Sequence, residues 1–170
     1  MKHVCSILFL SAIFISGCSR PNAEEMFRKA VDEQSNGQYD NAIASYQDLI
    51  MTFPDSTRTP EAYYAIGTLF QNEKKDYSRA LGAYKDLVRL FPRHATASNA
   101  AFNIGFIYNN DLHQYDSAKA AYEFFIRTYP EDELVKDAQM ELMYLGKTPE
   151  EILQAQTQRA QAASRSAKKK

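Results

Sequence analysis

The hydrophobic positions of this chain repeat every 38 residues across three ungapped segments, 39–54, 77–92 and 115–130. Each segment begins with Tyr, has Ala three positions later and a second Tyr seven positions later, and closes on two large apolar residues, an aromatic residue and Pro. The apolar positions fall at helical spacing, and Pro ends the helix because it has no amide hydrogen to donate. A repeat of this length predicts stacked helical units.

A second helical stretch precedes each of these segments, so that each unit consists of a helix A followed by a helix B. In units two and three the small and apolar positions of helix A correspond: Tyr63, Ile66, Gly67 and Phe70 recur as Ala101, Ile104, Gly105 and Tyr108. Glycine inside a helix costs about 1 kcal/mol relative to Ala, so it should have a packing reason. We predict that each glycine lets helix B approach closely, and that Ala30 is the small residue of unit one.

The predicted fold class is all-α, a short right-handed α-solenoid of about three helix pairs followed by C-terminal capping helices. The pairs are expected at about 22–54, 59–92 and 97–130, and the capping helices at 132–145 and 149 to about 160. A terminal helix that departs from the repeat, as the one at 132–145 does, is what a solenoid needs to cover its last unit. The repeat domain with its cap is thus predicted at 22–153.

Several helix boundaries carry sequence signals. Asn22 with Glu25 and Thr148 with Glu151 have the spacing of capping boxes. The other signals are Pro60 and Pro149 at first helical positions, Gly37 at the end of the first helix, and Asp40 and Asp116 as candidate N-caps. The stretch 154–170 has no large apolar residue, and it is therefore expected to be a basic tail, frayed or disordered.

The repeat resembles the tetratricopeptide family over about residues 22–145. The small residue of helix A and the Ala, the aromatic residue and the closing Pro of helix B match that family, although the period here is longer than the family's usual one. The longer loop after each Phe-Pro or Tyr-Pro is similar to the repeats of envelope lipoproteins, of the outer-membrane barrel-assembly type and of the Tol–Pal periplasmic type. The resemblance implies a protein-binding scaffold rather than an enzyme.

The N-terminus has the pattern of a lipoprotein signal. A basic start is followed by an uncharged stretch, Val4 to Ile15, that is too short to span a bilayer. Ile15-Ser-Gly-Cys18 then resembles a bacterial lipobox, which implies cleavage after residue 17, a covalent lipid on Cys18 and a short tether at 18–21. Ser19, where Asp would signal inner-membrane retention, favours a periplasm-facing outer-membrane lipoprotein. The alternative is an ordinary signal peptide in which the Cys occurs by chance.

Charge and cysteine content narrow the function classes. The formal net charge is −1, which predicts no attraction to nucleic acid. Cys5 lies in the signal, so the mature chain keeps one Cys and cannot form an intramolecular disulfide. From Gln154 onward the chain has five basic residues and no acidic ones. That tail is either a solvated, solubilising end or a contact for anionic lipid or envelope polymer.

No residue pattern predicts catalysis, a metal or a cofactor other than the lipid on Cys18. Ser166 and Lys169 spell the S-x-x-K nucleophile motif, but they lie in an Ala/Ser/Lys tail that cannot orient a nucleophile. Asp111, His113 and Asp116 fall in a polar turn, and their spacing defines no ligand geometry. We therefore predict that the protein is not an enzyme.

The resemblance places the binding surface in a concave groove lined by helix A side chains that face away from helix B. We call these eleven positions the groove stripe: Phe27, Val31, Gln34, Tyr64, Thr68, Gln71, Asn72, Phe102, Phe106, Asn109 and Asn110. Their aromatic rings offer apolar area, and their amides can pair with the backbone of an extended peptide. The stripe contains no Lys or Arg, so recognition of a C-terminal carboxylate is not expected. The alternative is that the chain's own C-terminal helix fills the groove.

Three functions follow from these features. The first is a membrane-anchored scaffold or adaptor that binds envelope proteins through the groove, in outer-membrane protein assembly. The second is a coordinator of envelope integrity, associated with Tol–Pal or peptidoglycan. The third is a non-catalytic subunit that presents substrate to an envelope enzyme.

Overall fold

The computed structural model of the chain describes residues 22–167. The predicted signal peptide and tether, including Cys18, lie outside the described residues, and so do the last three lysines.

The described chain is a succession of α-helices without strands, which confirms the predicted all-α class. The helices are α1 (Ala23–Ser35), α2 (Tyr39–Thr52), α3 (Thr59–Asn72), α4 (Tyr77–Leu90), α5 (Ala95–Phe106), α6 (Tyr115–Thr128), α7 (Val135–Tyr144) and α8 (Pro149–Ala167). A π-helical turn, Ile107–Asp111, continues α5. Helices α1 and α2, α3 and α4, and α5 and α6 pack as pairs, and each pair also packs on the next helix along the chain. This is the architecture of a tetratricopeptide-type solenoid.

The recurring positions of helix B form the centre of each unit. The repeated Ala, the second Tyr and the first residue of the apolar pair are at most 1% exposed in all three units: Ala42, Tyr46 and Leu49; Ala80, Tyr84 and Leu87; Ala118, Tyr122 and Phe125. Each Tyr ring spans the interface between its helix and helix A, so that one large side chain supplies much of the apolar contact of the pair.

The two helix A glycines lie against these tyrosine rings, as predicted. A Cβ atom built on Gly105 would lie 2.6 Å from two ring carbons of Tyr122, and one on Gly67 would overlap the ring of Tyr84 in the same way. Real Cβ atoms do not approach carbon so closely, so neither position can hold a larger residue without moving a buried ring. In unit one the corresponding Ala30 is fully buried.

The turn from helix A to helix B uses the same backbone conformation in every unit. Gly37, Lys75 and His113 follow one another at intervals of 38 residues and have φ angles of 73°, 53° and 52°. At Gly37 the turn is a Schellman motif, in which the amides of Gly37 and Gln38 donate to the carbonyls of Gln34 and Glu33. Only unit one has glycine at this left-handed position, so units two and three adopt it with a Cβ atom present.

Lys75→Gly is expected to raise the free energy of unfolding by about 0.5–1 kcal/mol, because the left-handed conformation costs a non-glycine residue about 1–2 kcal/mol. The control is Glu73→Gly, two residues earlier, where φ is −97° and glycine should destabilise. Urea denaturation of the two variants measures both effects. A loss of stability at both positions would contradict the assignment of strain to Lys75.

The predicted capping boxes are present. The amide of Glu25 donates to Asn22 Oδ1 at 2.9 Å, and the amide of Thr148 donates to Glu151 Oε2 at 2.8 Å. Pro60 lies in the first turn of α3 and Pro149 begins α8.

The prediction that Asp40 and Asp116 are N-caps is wrong. The N-cap residues of α2 and α6 are Gln38 and Gln114, and neither makes a side-chain capping bond. Asp40 and Asp116 lie in the first turn, where a carboxylate favours the positive end of the helix dipole. In unit two, Asp76 does cap α4 by accepting from the amide of Arg79 at 3.0 Å.

Helix α8 continues to Ala167, beyond the end expected near residue 160. Its Ala, Gln and Arg residues have high helix propensity, which explains how a helix without large apolar residues past Leu153 can continue. Within residues 22–167, no helix combines the length and the apolar character needed to cross a bilayer.

Candidate binding groove

The aromatic members of the groove stripe form its floor, because each one packs on the buried tyrosine of its own unit. Phe27 contacts Tyr46, Tyr64 contacts Tyr84 and Phe102 contacts Tyr122, with ring centroids 5.5, 5.7 and 5.5 Å apart. All three are half-buried. Phe102 also meets Phe125 edge-on at 5.8 Å. These rings therefore support the fold, and they present only part of their surface to a partner.

The next row of the stripe, one turn further along helix A, is more exposed. Val31 and Phe106 are each 37% exposed, and neither side chain belongs to a buried hydrophobic cluster. The equivalent residue of unit two is Thr68, whose hydroxyl donates to the Tyr64 carbonyl at 3.0 Å. Val31 and Phe106 are the apolar stripe positions most available to a partner.

The third row consists of amides that bond to the tyrosine hydroxyls in units one and two. Tyr46 donates to Gln34 Oε1 at 3.0 Å, and Tyr84 donates to Gln71 Oε1 at 3.1 Å. Gln71 is only 8% exposed. The sequence predicts that the stripe amides are free to pair with a peptide. Gln71 is not, because its hydrogen bond to the hydroxyl of the buried ring turns it inward.

Unit three breaks this pattern. Asn109 takes the place of Gln71, and its Nδ2 donates to Glu141 Oε2 of α7 at 2.9 Å instead of meeting the tyrosine. Among residues 22–167 the Tyr122 hydroxyl has no hydrogen-bond partner, although it is buried. Asn72 and Asn110 end the stripe and are exposed, and the Asn110 amide donates to the Phe106 carbonyl at 3.3 Å.

Burial keeps all three tyrosines protonated. It raises the pKa of Tyr46 and that of Tyr84 to about 12. Burial also raises the pKa of Tyr122, and the negative charge of Glu141 makes a smaller contribution in the same direction. Each hydroxyl is therefore a hydrogen-bond donor at physiological pH.

The C-terminal helix leaves the open part of the stripe uncovered. Helix α8 runs beside the end of α7, where Arg159 contacts the sulfur of Met143. Its first turn, through Ile152, borders a cleft of about 560 Å³ at the unit-three end of the stripe; Asn109, Asn110 and Glu141 also line that cleft. The exposure of Val31 and Phe106 argues against the alternative that α8 fills the groove.

Glu141 of this surface and the fully buried Tyr122 were not among the site positions predicted from the sequence. Glu141 belongs to α7, which departs from the repeat, so no alignment of the units points to it. Tyr122 is the buried repeat tyrosine of unit three, and its unpaired hydroxyl becomes visible only through comparison with its two equivalents. The sequence does carry a signal for the unpaired hydroxyl. Asn109 of unit three stands at the position that Gln71 occupies in unit two.

Asp111, His113 and Asp116 lie at or beside the turn between α5 and α6. Among the described residues, no three side chains of His, Cys, Asp or Glu lie close enough together to hold a metal ion. The His113 ring instead lies beside Tyr115 and within 3.2 Å of the Asn109 carbonyl.

Comparison with known proteins identifies the family. Residues 20–149 match the family model YfiO, whose description is outer membrane lipoprotein. The match covers all three helix pairs and α7, and it ends where α8 begins. No curated protein sequence gives a significant match.

Proposed function

The chain belongs to the YfiO family of outer membrane lipoproteins, and we propose that it is a non-catalytic scaffold that binds an extended segment of another envelope protein along the groove stripe. The process we propose for it is outer-membrane protein assembly. We further propose that it faces the periplasm, held by a lipid on Cys18.

The observation that carries this proposal is the pair of exposed apolar side chains, Val31 and Phe106, on a floor of half-buried aromatic rings. A few side chains near the centre of an interface, aromatic ones among them, supply most of its binding energy. Polar groups at the edge of the stripe, Asn72 and Asn110, are exposed and can pair with a peptide backbone.

Phe106→Ser is expected to keep the fold and to reduce partner capture at least tenfold, since aromatic anchors at interfaces contribute about 2 kcal/mol or more. Phe102 is unsuitable for this test, because it packs on Tyr122 and Phe125 and its loss would destabilise unit three. The matched control is Met51→Ser, which removes an apolar side chain that is 74% exposed on α2, outside the stripe. Affinity capture from solubilised envelopes, with quantitative mass spectrometry, compares the variants with the wild type.

Capture that is unchanged by Phe106→Ser, in a variant with wild-type helicity, would contradict the groove assignment. The identity of the captured proteins separates the functions. Barrel-assembly proteins support the proposal, whereas Tol–Pal or peptidoglycan-associated proteins, or an envelope enzyme, would replace it with one of the other two functions.

Cys18→Ser is expected to leave the protein soluble or with its signal uncleaved, because without the cysteine sulfur the proposed lipid anchor cannot be attached. Cell fractionation and intact-mass measurement test this together. A variant that stays in the membrane fraction, with the same mass as wild type apart from the substitution, would show that Cys18 carries no lipid.

A further inference from the structure

A cleft of about 530 Å³ lies between α4 and α6, the B helices of units two and three, and α5 forms its floor. We call it the outer cleft, and its lining includes residues of all three helices: Lys85, Val88 and Arg89 of α4, Ile104 of α5, and Ala121 and Phe124 of α6. Among the described residues that line it, none belongs to the groove stripe. The outer cleft is therefore a separate surface of the protein.

The repeat produces the shape of this cleft twice. Every residue that lines the outer cleft has an equivalent, 38 positions earlier, that lines a second cleft of about 560 Å³ between α2 and α4. Val88 corresponds to Ile50 in this way, and Ile104 corresponds to Ile66. The packing of adjacent units explains both clefts, so the differences between their side chains are what distinguishes them.

The first difference is charge. Lys85 and Arg89 of the outer cleft stand at the positions that Gln47 and Met51 occupy in the second cleft. No Asp or Glu is among the described residues that line the outer cleft. The chain around it is acidic, since residues 18–153 contain 14 basic and 21 acidic residues. A cationic cleft on an acidic protein selects a partner that presents a carboxylate there.

Lys85 is the cation that has charge to offer. Its Nζ donates to the Tyr108 hydroxyl at 2.8 Å, which holds the side chain from α4 toward the end of α5. The ion pairs described within residues 22–167 do not include Lys85. Arg89, by contrast, is paired with Asp86 at 2.6 Å. An ammonium has three N–H donors, so Lys85 can bind a carboxylate and keep its bond to the tyrosine.

The second difference is an exposed aromatic ring. Phe124 is 38% exposed on the α6 wall, at the repeat position that holds Asp48 in unit one and Asp86 in unit two. The same wall carries the small side chains of Ala120 and Ala121. A helix that packs on this wall can approach closely at the alanines, because the distance between packed helices depends on the side chains at their contact. Its apolar side chains would cover the Phe124 ring.

We propose that the outer cleft is a docking site for an amphipathic helix of a partner protein that carries an Asp or Glu beside its apolar face. The apolar side chains of that helix lie between α4 and α6, as the ridge of one helix lies in the groove of another. Its carboxylate, three or four positions from an apolar residue, pairs with Lys85. Because the outer cleft and the groove stripe are separate, this site goes beyond the proposed function and would let the protein hold two partners.

An acyl chain with a free carboxylate has the same two chemical features, but the shape of the cleft favours the helix. Sites for small ligands bury about 70–90% of the ligand surface. The outer cleft is instead open to solvent between its two flanking helices. An acyl chain in it would stay largely exposed to water, whereas a helix would cover the cleft and bury its own apolar face there.

The test uses two fluorescein-labelled, lactam-stapled helices of about 16 residues, or four turns, with Leu residues along one face. One central position beside that face is Glu in the first helix and Gln, its uncharged isostere, in the second. Fluorescence anisotropy with the full chain in phosphatidylcholine nanodiscs is expected to show that the Glu helix binds about three- to fivefold tighter, the size of an exposed ion pair.

Two substitutions install residues that the repeat already uses, so the fold should be kept. Lys85→Gln, which copies Gln47, should remove the preference for the Glu helix, whereas Lys119→Gln, at an exposed lysine of α6 outside the cleft, should retain it. Phe124→Asp, which copies Asp86, should weaken the binding of both helices about tenfold or more. Circular dichroism checks that each variant is folded.

Equal affinities for the two helices, failure of both to bind, or a preference for Glu that survives Lys85→Gln would overturn the inference. So would tighter binding of laurate than of the Glu helix, which would assign the cleft to an acyl chain. Phe106→Ser separates the two surfaces, because it should leave the affinity for the Glu helix unchanged. Binding that is lost in Phe106→Ser but kept in Phe124→Asp would place the helix in the groove stripe and contradict the outer cleft.

Discussion

Gly105→Leu is expected to lower the free energy of unfolding by about 3 kcal/mol, at the upper end of the usual cost of over-packing. The Cβ atom alone would lie 2.6 Å from the Tyr122 ring, and that ring is fully buried. The branched end of Leu adds further overlap. Helix α5 and helix α6 would therefore have to separate, and the central contact of unit three would be lost.

The control is Gly82→Leu, a second glycine inside a helix. Apart from its chain neighbours and the nearby backbone of its own helix, no atom lies within 4 Å of a Cβ atom built there, and the residue is exposed. Leu should be neutral or stabilise α4 by up to about 1 kcal/mol through its helix propensity. Thermal and urea denaturation of the two variants give the comparison. Equal effects at both glycines would show that Gly105 does not mark a close helix contact.

Tyr84→Phe is expected to destabilise the protein by about 1–3 kcal/mol, although it removes only one oxygen atom. The substitution leaves the amide of Gln71, which is 8% exposed, without its partner, and it removes the hydroxyl beside Thr68. A buried polar group that loses its partner bears the full cost of its desolvation.

Tyr122→Phe is the matched variant and should have the opposite result. It removes a buried hydroxyl that has no partner among the described residues, so stability should stay the same or rise. Urea denaturation at neutral pH, where both tyrosines are protonated, measures the two differences. A larger loss for Tyr122→Phe than for Tyr84→Phe would contradict the assignment of hydrogen-bond partners to Tyr84 and of none to Tyr122.

The helical units could be predicted from the sequence because their signals are local. The closing prolines and the capping boxes each depend on residues within one or two turns of one another, and the 38-residue period repeats these local signals along the chain. The contact of Gly105 with helix B was predictable for a related reason, since a glycine inside a helix has few uses other than close packing. Phe27, Tyr64 and Phe102 are placed on the groove stripe by the resemblance to the tetratricopeptide family together with helical spacing. Their packing on the buried tyrosines is seen only in the structure.

Other features depend on interactions that no local pattern records. The left-handed conformation of Lys75 is imposed by the position of the turn between its two helices, because nothing in the lysine side chain favours it. Gln71 was expected to be free because its spacing puts it on the stripe, but its rotamer is set by the hydroxyl of Tyr84. Glu141 reaches the stripe through the placement of α7 on α6, which the repeat does not determine.

The central claim, that the groove stripe holds a segment of another envelope protein, is tested most directly by crosslinking in intact cells. A photoreactive phenylalanine analogue placed at Phe106 should give a discrete, light-dependent adduct, whereas the same analogue at Met51 should give none. The adduct should contain a component of outer-membrane protein assembly. Crosslinking from position 51 but not from position 106, in correctly localised protein, would contradict the account.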